Sequence, residues 1–348
     1  MHEVINYYTS RDLQLPCDIT VHVDGTVRAR VCFRAFQRRR QQKALRGQPL
    51  PFFGNIKELF FQRTSEALHY SWLYNKLDGH RFGGIYLLTE PVLLVRDPQL
   101  ARRILDGDED YFSHKGILEK NEGFNTYCVL DTDIITRLDS RFIFVQYFLF
   151  WYAGTEMIFG ILNFCLHELA MNPDVQDNLR EDVDSSLRQH GGELTYEAVN
   201  SMKYMEQVIY ETLRKYHPDV MLNRVCSKSY TIPGTEVRIE RGTQVIIPVY
   251  ALNHDPQYFP DPEKFYPERF DPENKSSTGL LDFLPFGTGS RKCIGMDYAM
   301  IQIKVGLASL ISKFKFSSYG DATTTTKLNC GSFNPHGDNL HKFVVKYR

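Results

Sequence analysis

One cysteine lies in the segment of this chain whose residues are best suited to bind a metal ion. Cys293 is part of FGTGSRKCIG, residues 286–295, and follows Arg291 by two positions. Gly289 permits a tight backbone turn, and Gly295 removes a side chain next to the sulfur. A thiolate in a confined loop beside a basic residue suits the axial ligand of haem iron. The alternative is a small buried cysteine ahead of an ordinary helix.

The residues after this cysteine have the spacing of a helix that packs one apolar face. Apolar side chains recur at helical intervals, at Ile294, Tyr298, Ile301, Val305 and Ala308. We therefore expect Cys293 to lie at the start of this helix. There, exposed N–H groups and the helix dipole lower the pKa of a thiol and favour the thiolate.

Composition excludes several functional classes. The chain has 348 residues, enough for a sizeable core, and its net charge of −1 gives no reason to expect a nucleic-acid partner. Its seven cysteines are odd in number and scattered, so we expect mostly reduced thiols in a cytosol-facing protein. No paired cysteine or histidine spacing indicates a zinc site. Residues 1–31 contain no apolar run long enough for a signal peptide or a membrane anchor.

The segment around Cys293 resembles the cysteine-ligand loop of the cytochromes P450. The family pattern Phe-x-x-Gly-x-Arg-x-Cys-x-Gly is complete here, with its fixed positions at Phe286, Gly289, Arg291, Cys293 and Gly295. The resemblance implies that the chain binds haem b, that the Cys293 thiolate is the axial iron ligand, and that the other four residues also bind the cofactor. Segments elsewhere in the chain look most like insect microsomal members that handle xenobiotics and hormones.

A long apolar segment, residues 142–166, predicts a helix. Its length alone would also fit a membrane span, but Glu156 at its centre would cost roughly 2.5–3.5 kcal/mol in hydrocarbon. We therefore favour a helix buried through the middle of a large domain. A membrane protein without redox chemistry, spanning the bilayer with this segment, is kept as an alternative.

Four residues within this helix resemble the oxygen-binding kink in the long central helix of cytochromes P450. They are Ala153, Gly154, Thr155 and Glu156. The resemblance implies that Ala153 and Gly154 let the backbone approach the haem and that Thr155 and Glu156 are catalytic, Glu156 by assisting proton delivery. The next position is normally threonine in the family. This chain has Met157, which can neither donate nor relay a proton.

Three charged residues resemble the buried triad that holds the ligand loop of this family in place. Glu211 and Arg214 lie three apart on a predicted helix and face the same way, and Arg269 follows in the segment FYPERF. Taken alone, the first pair also fits an exposed ion pair. The resemblance further implies that Arg224, which precedes a predicted strand, contacts a haem propionate. The alternative for Arg224 is a solvent-exposed arginine in a loop.

The predicted fold is mainly α-helical with a smaller β-rich part. Residues 1–46 form a polar N-terminal segment and basic linker, and residues 47–348 form a single domain of the cytochrome P450 type. In that domain, residues 113–141 stand where the family has several middle helices, which we expect to be missing. The β-rich part includes a predicted hairpin, residues 84–96, that turns at Glu90 and Pro91.

The resemblance implies a monooxygenase that inserts one oxygen atom from O2 into an apolar small molecule. Electrons would come from NADPH through a flavoprotein reductase. The resemblance to microsomal members implies a place at the cytosolic face of the endoplasmic reticulum membrane, where we expect peripheral contact. Without an anchor, the cytosol is the alternative. The short 113–141 segment and Met157 predict a second outcome, a truncated haem-binding remnant with impaired catalysis. The sequence does not identify the substrate.

Overall fold

The computed structural model describes residues 53–88, 90–112, 140–274, 283–319 and 343–348. The N-terminal segment predicted for 1–46 and most of the 113–141 segment lie outside these residues, so the domain boundaries stay a prediction. Within the described residues, the architecture is mainly helical with a small β part, as predicted.

Helices make up most of the regular structure. In chain order they are α1 (Lys57–Phe60), α2 (Glu66–Lys76), α3 (Pro98–Arg102), α4 (Ser140–Met171), α5 (Pro173–Gln189), α6 (Tyr196–Ser201), α7 (Lys203–Lys215), α8 (Val249–Asn253) and α9 (Met296–Ile311). A π turn (Arg103–Gly107) and a 3-10 turn (Glu109–Tyr111) follow α3, and further 3-10 turns lie at Pro267–Phe270 and Gly289–Arg291.

The described strands form one four-stranded sheet and two two-stranded sheets. They are β1 (Phe82–Leu87), β2 (Glu90–Val95), β3 (Leu222–Val225), β4 (Tyr230–Thr231), β5 (Arg238–Ile239), β6 (Gln244–Ile247), β7 (Phe314–Ser318) and β8 (Phe343–Tyr347). The larger sheet has the order β1-β2-β6-β3, with β2 and β6 parallel and the other neighbours antiparallel. β4 pairs with β5, and β7 pairs with β8.

The predicted hairpin is confirmed, but its turn lies earlier in the chain. Glu90 and Pro91 do not form the turn; they lie inside β2, opposite Leu87 and Tyr86. Proline is tolerated there because the ladder between β2 and β6 starts only at Val92. The missing N–H of Pro91 therefore leaves no acceptor on β6 without a partner.

The long helix α4 is buried over only part of its length. Its second half contributes side chains to the main core, from Ile158 to Ala170. Large aromatic side chains of its first half are exposed, namely Phe144, Tyr147, Phe148, Phe150, Trp151 and Tyr152. The predicted buried helix is therefore confirmed for the second half and wrong for the first, because apolar sequence does not guarantee that another element covers a side chain. No helix in the described part of the chain is long and apolar enough to cross a membrane.

Four helices enclose the main core. They are α4, α5, α7 and α9, which contribute Leu169, Leu179, Ile209 and Leu307 among others. Each of these four side chains is completely buried. Burying a side chain of this size contributes about 1.5–3 kcal/mol relative to leaving it exposed. The four helices therefore form a stable platform, and α9 connects that platform to the cysteine loop.

The buried face of α9 differs from the predicted one. Its buried residues are Met300, Ile303, Lys304, Leu307, Ala308 and Ile311. Of the predicted positions, Ile294 and Tyr298 are 74% and 62% exposed, and Val305 is also exposed. Because apolar residues surround most of this helix, spacing alone allows either of two neighbouring faces to be the buried one. Packing against the other three helices of the core selects the second face.

Leu307→Ala tests this assignment because it removes a fully buried side chain from the main core. We expect the free energy of unfolding to fall by about 2–5 kcal/mol. Val305→Ala, on the exposed face of the same helix, should change it by less than about 0.5 kcal/mol. Urea denaturation followed by circular dichroism measures both values, and equal losses would contradict the assigned face.

Candidate cofactor site at Cys293

The backbone around Cys293 forms a closed loop ahead of helix α9. The N–H of Cys293 donates to the carbonyl oxygen of Phe286 at 2.9 Å, and the N–H of Lys292 donates to the carbonyl oxygen of Gly289 at 3.1 Å. The first helical residue of α9 is Met296. Cys293 therefore lies just ahead of the helix N-terminus and not in the helix itself.

Gly289 is the one position of this loop where a side chain would collide with the rest of the protein. Its φ angle is +74°, and a Cβ atom added there would lie 2.2 Å from the carbonyl oxygen of Leu105. Gly287 has a similar φ of +72° but would meet no atom within 4 Å. The predicted tight turn at Gly289 is thus present, and it also allows close contact with the π turn that follows α3.

Two acidic side chains from the residues after α3 fasten the loop to that turn. The hydroxyl of Thr288 donates to Asp106 Oδ2 at 3.2 Å, and the N–H of Ser290 donates to Glu109 Oε2 at 2.8 Å. The pKa of the Glu109 carboxyl is lowered, chiefly by the hydrogen bond from Ser290 and also by the positive charge of Arg224. The loop is therefore held by side-chain contacts as well as by backbone geometry.

Sequence reasoning missed these two acidic residues. They belong to the stretch DGDED, residues 106–110, which has no motif and is typical of a solvated loop. Glu109 and Ser290 are 181 residues apart in the chain. No local pattern could have paired them, and only the folded chain brings them together.

The two arginines predicted to bind the cofactor differ in exposure. Arg291 ends the 3-10 turn of the loop and is half-buried. Arg224 is buried within β3, opposite Val245 of β6, and its Nη1 donates to the carbonyl oxygen of Asn223 at 2.9 Å. The prediction that Arg224 precedes the strand, and the alternative of an exposed loop arginine, are both wrong because the sheet extends one strand further than the sequence indicated.

The donor set at the loop fits haem. Within the described ranges, no group of three His, Cys, Asp or Glu side chains is arranged to hold a metal ion. Haem brings four ring nitrogens of its own, so it needs a protein side chain only as an axial ligand. Cys293 offers an exposed thiol, Ile294 and Tyr298 present apolar surface nearby along the chain, and Gly295 leaves open space where a Cβ would lie.

The structure brings Glu211, Arg214 and Arg269 together. The buried Glu211 carboxylate accepts hydrogen bonds from Arg214 Nε at 2.8 Å and Nη2 at 2.9 Å, and from the N–H of Tyr266 at 3.0 Å. Arg269 Nε lies 3.5 Å from Glu211 Oε2. Burial lowers the pKa of Arg269, and the charge of Glu211 opposes that effect. The alternative of an exposed ion pair is wrong, since Glu211 and Arg214 are both 0% exposed.

The same arginines tie the chain segments around the triad to each other. Arg214 donates to the carbonyl oxygens of Asn253 at 2.9 Å and Pro262 at 2.7 Å. Arg269 donates to the carbonyl oxygen of Pro260 at 2.8 Å. The cluster thus fixes the chain from the end of α8 to the 3-10 turn at Pro267–Phe270, which precedes the cysteine loop.

The residues predicted to bind oxygen lie on α4, which runs through them without interruption. Ala153 and Glu156 are exposed, and the two residues between them are half-buried. A Cβ added at Gly154 would meet no atom within 4 Å, so space is open on that side of the helix. α4 and α9 meet where Gly306 lies against Leu162. The two helices share one core, but that core includes neither Cys293 nor residues 153–156.

Gly289→Ala should displace the cysteine loop, because its Cβ would collide with the carbonyl oxygen of Leu105 at a positive φ. We expect the free energy of unfolding to fall by more than about 2 kcal/mol. Gly287→Ala introduces a similar backbone strain without a collision and should cost only about 1–2 kcal/mol. Denaturant titration compares the two variants, and equal losses would show that the close contact is unimportant.

Glu211→Ala should be strongly destabilising, since it leaves two buried guanidinium groups without their carboxylate. We expect a loss of about 3–5 kcal/mol. Removing the exposed carboxyl group of Glu193 by the same substitution should cost less than about 0.5 kcal/mol. Thermal and urea unfolding provide the measurement, and a small loss at Glu211 would contradict the structural role of the triad.

Comparison with known proteins identifies the same family that the cysteine loop resembles. The sequence model of the family "Cytochrome P450" matches residues 119–342. Cytochrome P450 9e2 of Blattella germanica is 42% identical over 190 residues, which are 54% of this chain and 36% of that protein. Probable cytochrome P450 6a13 of Drosophila melanogaster is 45% identical over 175 residues, 50% of this chain and 36% of that protein.

A third relative shows the same partial coverage. Cytochrome P450 6l1 of Blattella germanica is 35% identical over 219 residues, which are 61% of this chain and 44% of that protein. The chain thus spans less than half the length of each of these relatives. The family match covers more than half of the chain and includes the cysteine loop and the triad. The chain therefore belongs to the cytochrome P450 family.

Proposed function

We propose that this chain carries the haem-thiolate site of a monooxygenase. The observation that carries the proposal is the exposed thiol of Cys293 in a loop whose shape is imposed by Gly289 and by hydrogen bonds from Thr288 and Ser290. A loop fastened in this way can present one sulfur in a fixed direction. Membership of the family supports the same conclusion.

Bound haem b would supply the chemistry by which one atom of O2 enters an apolar small molecule and the other leaves as water, with two electrons from NADPH and two protons from the solvent. Cys293 would hold the iron of this group through its thiolate. The remaining task of the protein is to ligate the cofactor, orient it and keep water away.

The residues that would hold the cofactor surround the loop. Arg224 and Arg291 would bind the anionic propionate groups, since guanidinium groups pair with carboxylates through bidentate hydrogen bonds. Phe286 orients the loop, because its carbonyl oxygen accepts the hydrogen bond from the N–H of Cys293. Gly289 and Gly295 add no side chain to the loop, so its backbone can lie close to neighbouring groups. On α4, Ala153 and Gly154 would allow close approach of the cofactor.

Proton delivery would fall to α4. Glu156 is exposed and can exchange protons with water, and the hydroxyl of Thr155 can both donate and accept. Met157, the next residue, cannot relay a proton, because a thioether is at most a weak hydrogen-bond acceptor. We therefore propose that Glu156 and Thr155 supply protons less efficiently than a helix with a second hydroxyl residue would.

The partners follow from the chemistry. A flavoprotein reductase that oxidises NADPH would deliver electrons, and we place its docking surface on the cysteine-loop side, where the thiolate is nearest to the exterior. The substrate would be an apolar small molecule. By resemblance to the family, the chain would work at the cytosolic face of the endoplasmic reticulum membrane through peripheral contact, with the cytosol as the alternative location.

A second candidate function is haem binding without turnover. It is favoured by the exposed aromatic side chains on the first half of α4, among them Tyr147 at 72% and Trp151 at 56% exposure. If the site lies beside a helix as exposed to water as this one, water can reach the bound cofactor. Water in the site weakens electrostatic catalysis. Met157 favours the same outcome.

The carbon monoxide difference spectrum of the reduced, haem-loaded chain tests the proposed site. We expect the red-shifted Soret band of thiolate ligation for the unaltered chain, and its loss in Cys293→Ser, because a hydroxyl group is a far weaker iron ligand. Cys226→Ala removes a thiol elsewhere, one that donates to the carbonyl oxygen of Lys228, and should retain the band. A thiolate band that survives Cys293→Ser would refute the assignment.

Turnover then separates the two candidate functions. With a flavoprotein reductase, NADPH and an apolar probe such as an alkoxycoumarin, oxygenated product in proportion to NADPH consumed supports the monooxygenase. Oxidation of NADPH without product, in a chain that shows the thiolate band, supports haem binding without turnover.

A further inference from the structure

The cysteine loop, residues 286–295, makes a contact with the turn after α3 that the family pattern does not include. Its 3-10 turn, Gly289–Arg291, lies against the turn that follows α3, and the N–H of Ser290 donates to Glu109 Oε2 at 2.8 Å. A Cβ added at Gly289 would lie 3.1 Å from that same oxygen. The carboxylate of Glu109 thus accepts a hydrogen bond from Ser290 and lies next to Gly289.

This contact lies in the turn that leads to Cys293. Ser290 is three residues ahead of Cys293. The turn is closed by the hydrogen bond from the N–H of Lys292 to the carbonyl oxygen of Gly289. If Ser290 moves, the residue next to the ligand moves with it. Hydrogen bonds to a charged acceptor are about twice as strong as neutral ones, so Glu109 is well suited to hold this position.

The other fastening is weaker and does not reach the backbone of the loop. Thr288 donates through its hydroxyl to Asp106 Oδ2 at 3.2 Å, a longer hydrogen bond than the 2.8 Å bond from Ser290 to Glu109. A hydroxyl group can rotate to water without moving the main chain. Glu109, in contrast, accepts directly from a main-chain N–H, and losing it would leave that N–H to solvent.

We propose that Glu109 is a positioning residue for the thiolate ligand. This inference rests on the proposed function for Cys293 and assigns to Glu109 the task of holding the N–H of Ser290, so that the loop is already formed before haem binds. Glu109 is only partly buried, so its removal should loosen the loop without unfolding the protein.

Hydrogen exchange at the Ser290 amide in the haem-free chain tests the fastening directly. We expect Glu109→Ala to accelerate this exchange by about tenfold or more, while the amides of α9 exchange as before. Glu109→Gln should stay close to the unaltered chain, because its side-chain carbonyl oxygen still accepts a hydrogen bond. Asp110→Ala removes a neighbouring, exposed carboxyl group from the same 3-10 turn and should have no effect.

Reconstitution with haem tests the consequence for the ligand. We expect Glu109→Ala to raise the share of bound haem that lacks the thiolate Soret band several-fold, with Glu109→Gln restoring most of the band. A Glu109→Ala chain that matches Asp110→Ala in exchange, or that keeps the full thiolate band, would overturn the assignment of Glu109.

The two measurements keep this inference separate from the proposed function. If the unaltered chain gives no thiolate band, the proposed function fails, and with it the role of Glu109 toward a ligand, even where the exchange data show the fastening. If the unaltered chain gives the band and the Glu109 variants do not differ from it, the proposed function stands and the positioning role is refuted.

Discussion

Burial of the Glu211 carboxylate is the constraint around which the second half of the chain is arranged. A buried charge without partners is costly, so Arg214 and Arg269 must approach it, and their remaining N–H groups must find the carbonyl oxygens of the surrounding segment. Phe270, next to Arg269, then packs against Phe283 with ring centroids 4.9 Å apart. The electrostatic requirement of one helix thus fixes the point from which the cysteine loop starts.

The loop and the residues that lead into it contact two hydrophobic cores. Phe283 and Phe286 pack against the core formed by α4, α5, α7 and α9, whereas Leu284, between them, is buried in the core that includes β6 and α3. The turn after α3 then holds the far side of the loop through Gly289 and Ser290. Cys293 is exposed, yet the loop that precedes it is held at Phe286 by the main core and at Ser290 by the turn after α3.

Much of this arrangement could be predicted from short patterns. The contact of Glu211 with Arg214 follows from helical spacing, and the turn at Gly289 follows from the need for a positive φ. The exposed face of α9 at Tyr298, the exposed half of α4 and the burial of Arg224 could not be predicted, because each depends on which distant element covers a surface. The contact between Glu109 and Ser290 is the extreme case, since neither residue has a local signal.

The contact of Gly289 with the carbonyl oxygen of Leu105 also bears on the order of folding. The neighbouring hydrogen bond closes a segment of 181 residues, and the entropy lost in such a closure must be offset by many other native contacts. We therefore expect the cysteine loop to form late, after both cores have assembled. If Cys293 holds haem as proposed, haem that meets a nascent chain would encounter a thiol without its loop, so stable capture of the cofactor would mark the completion of folding.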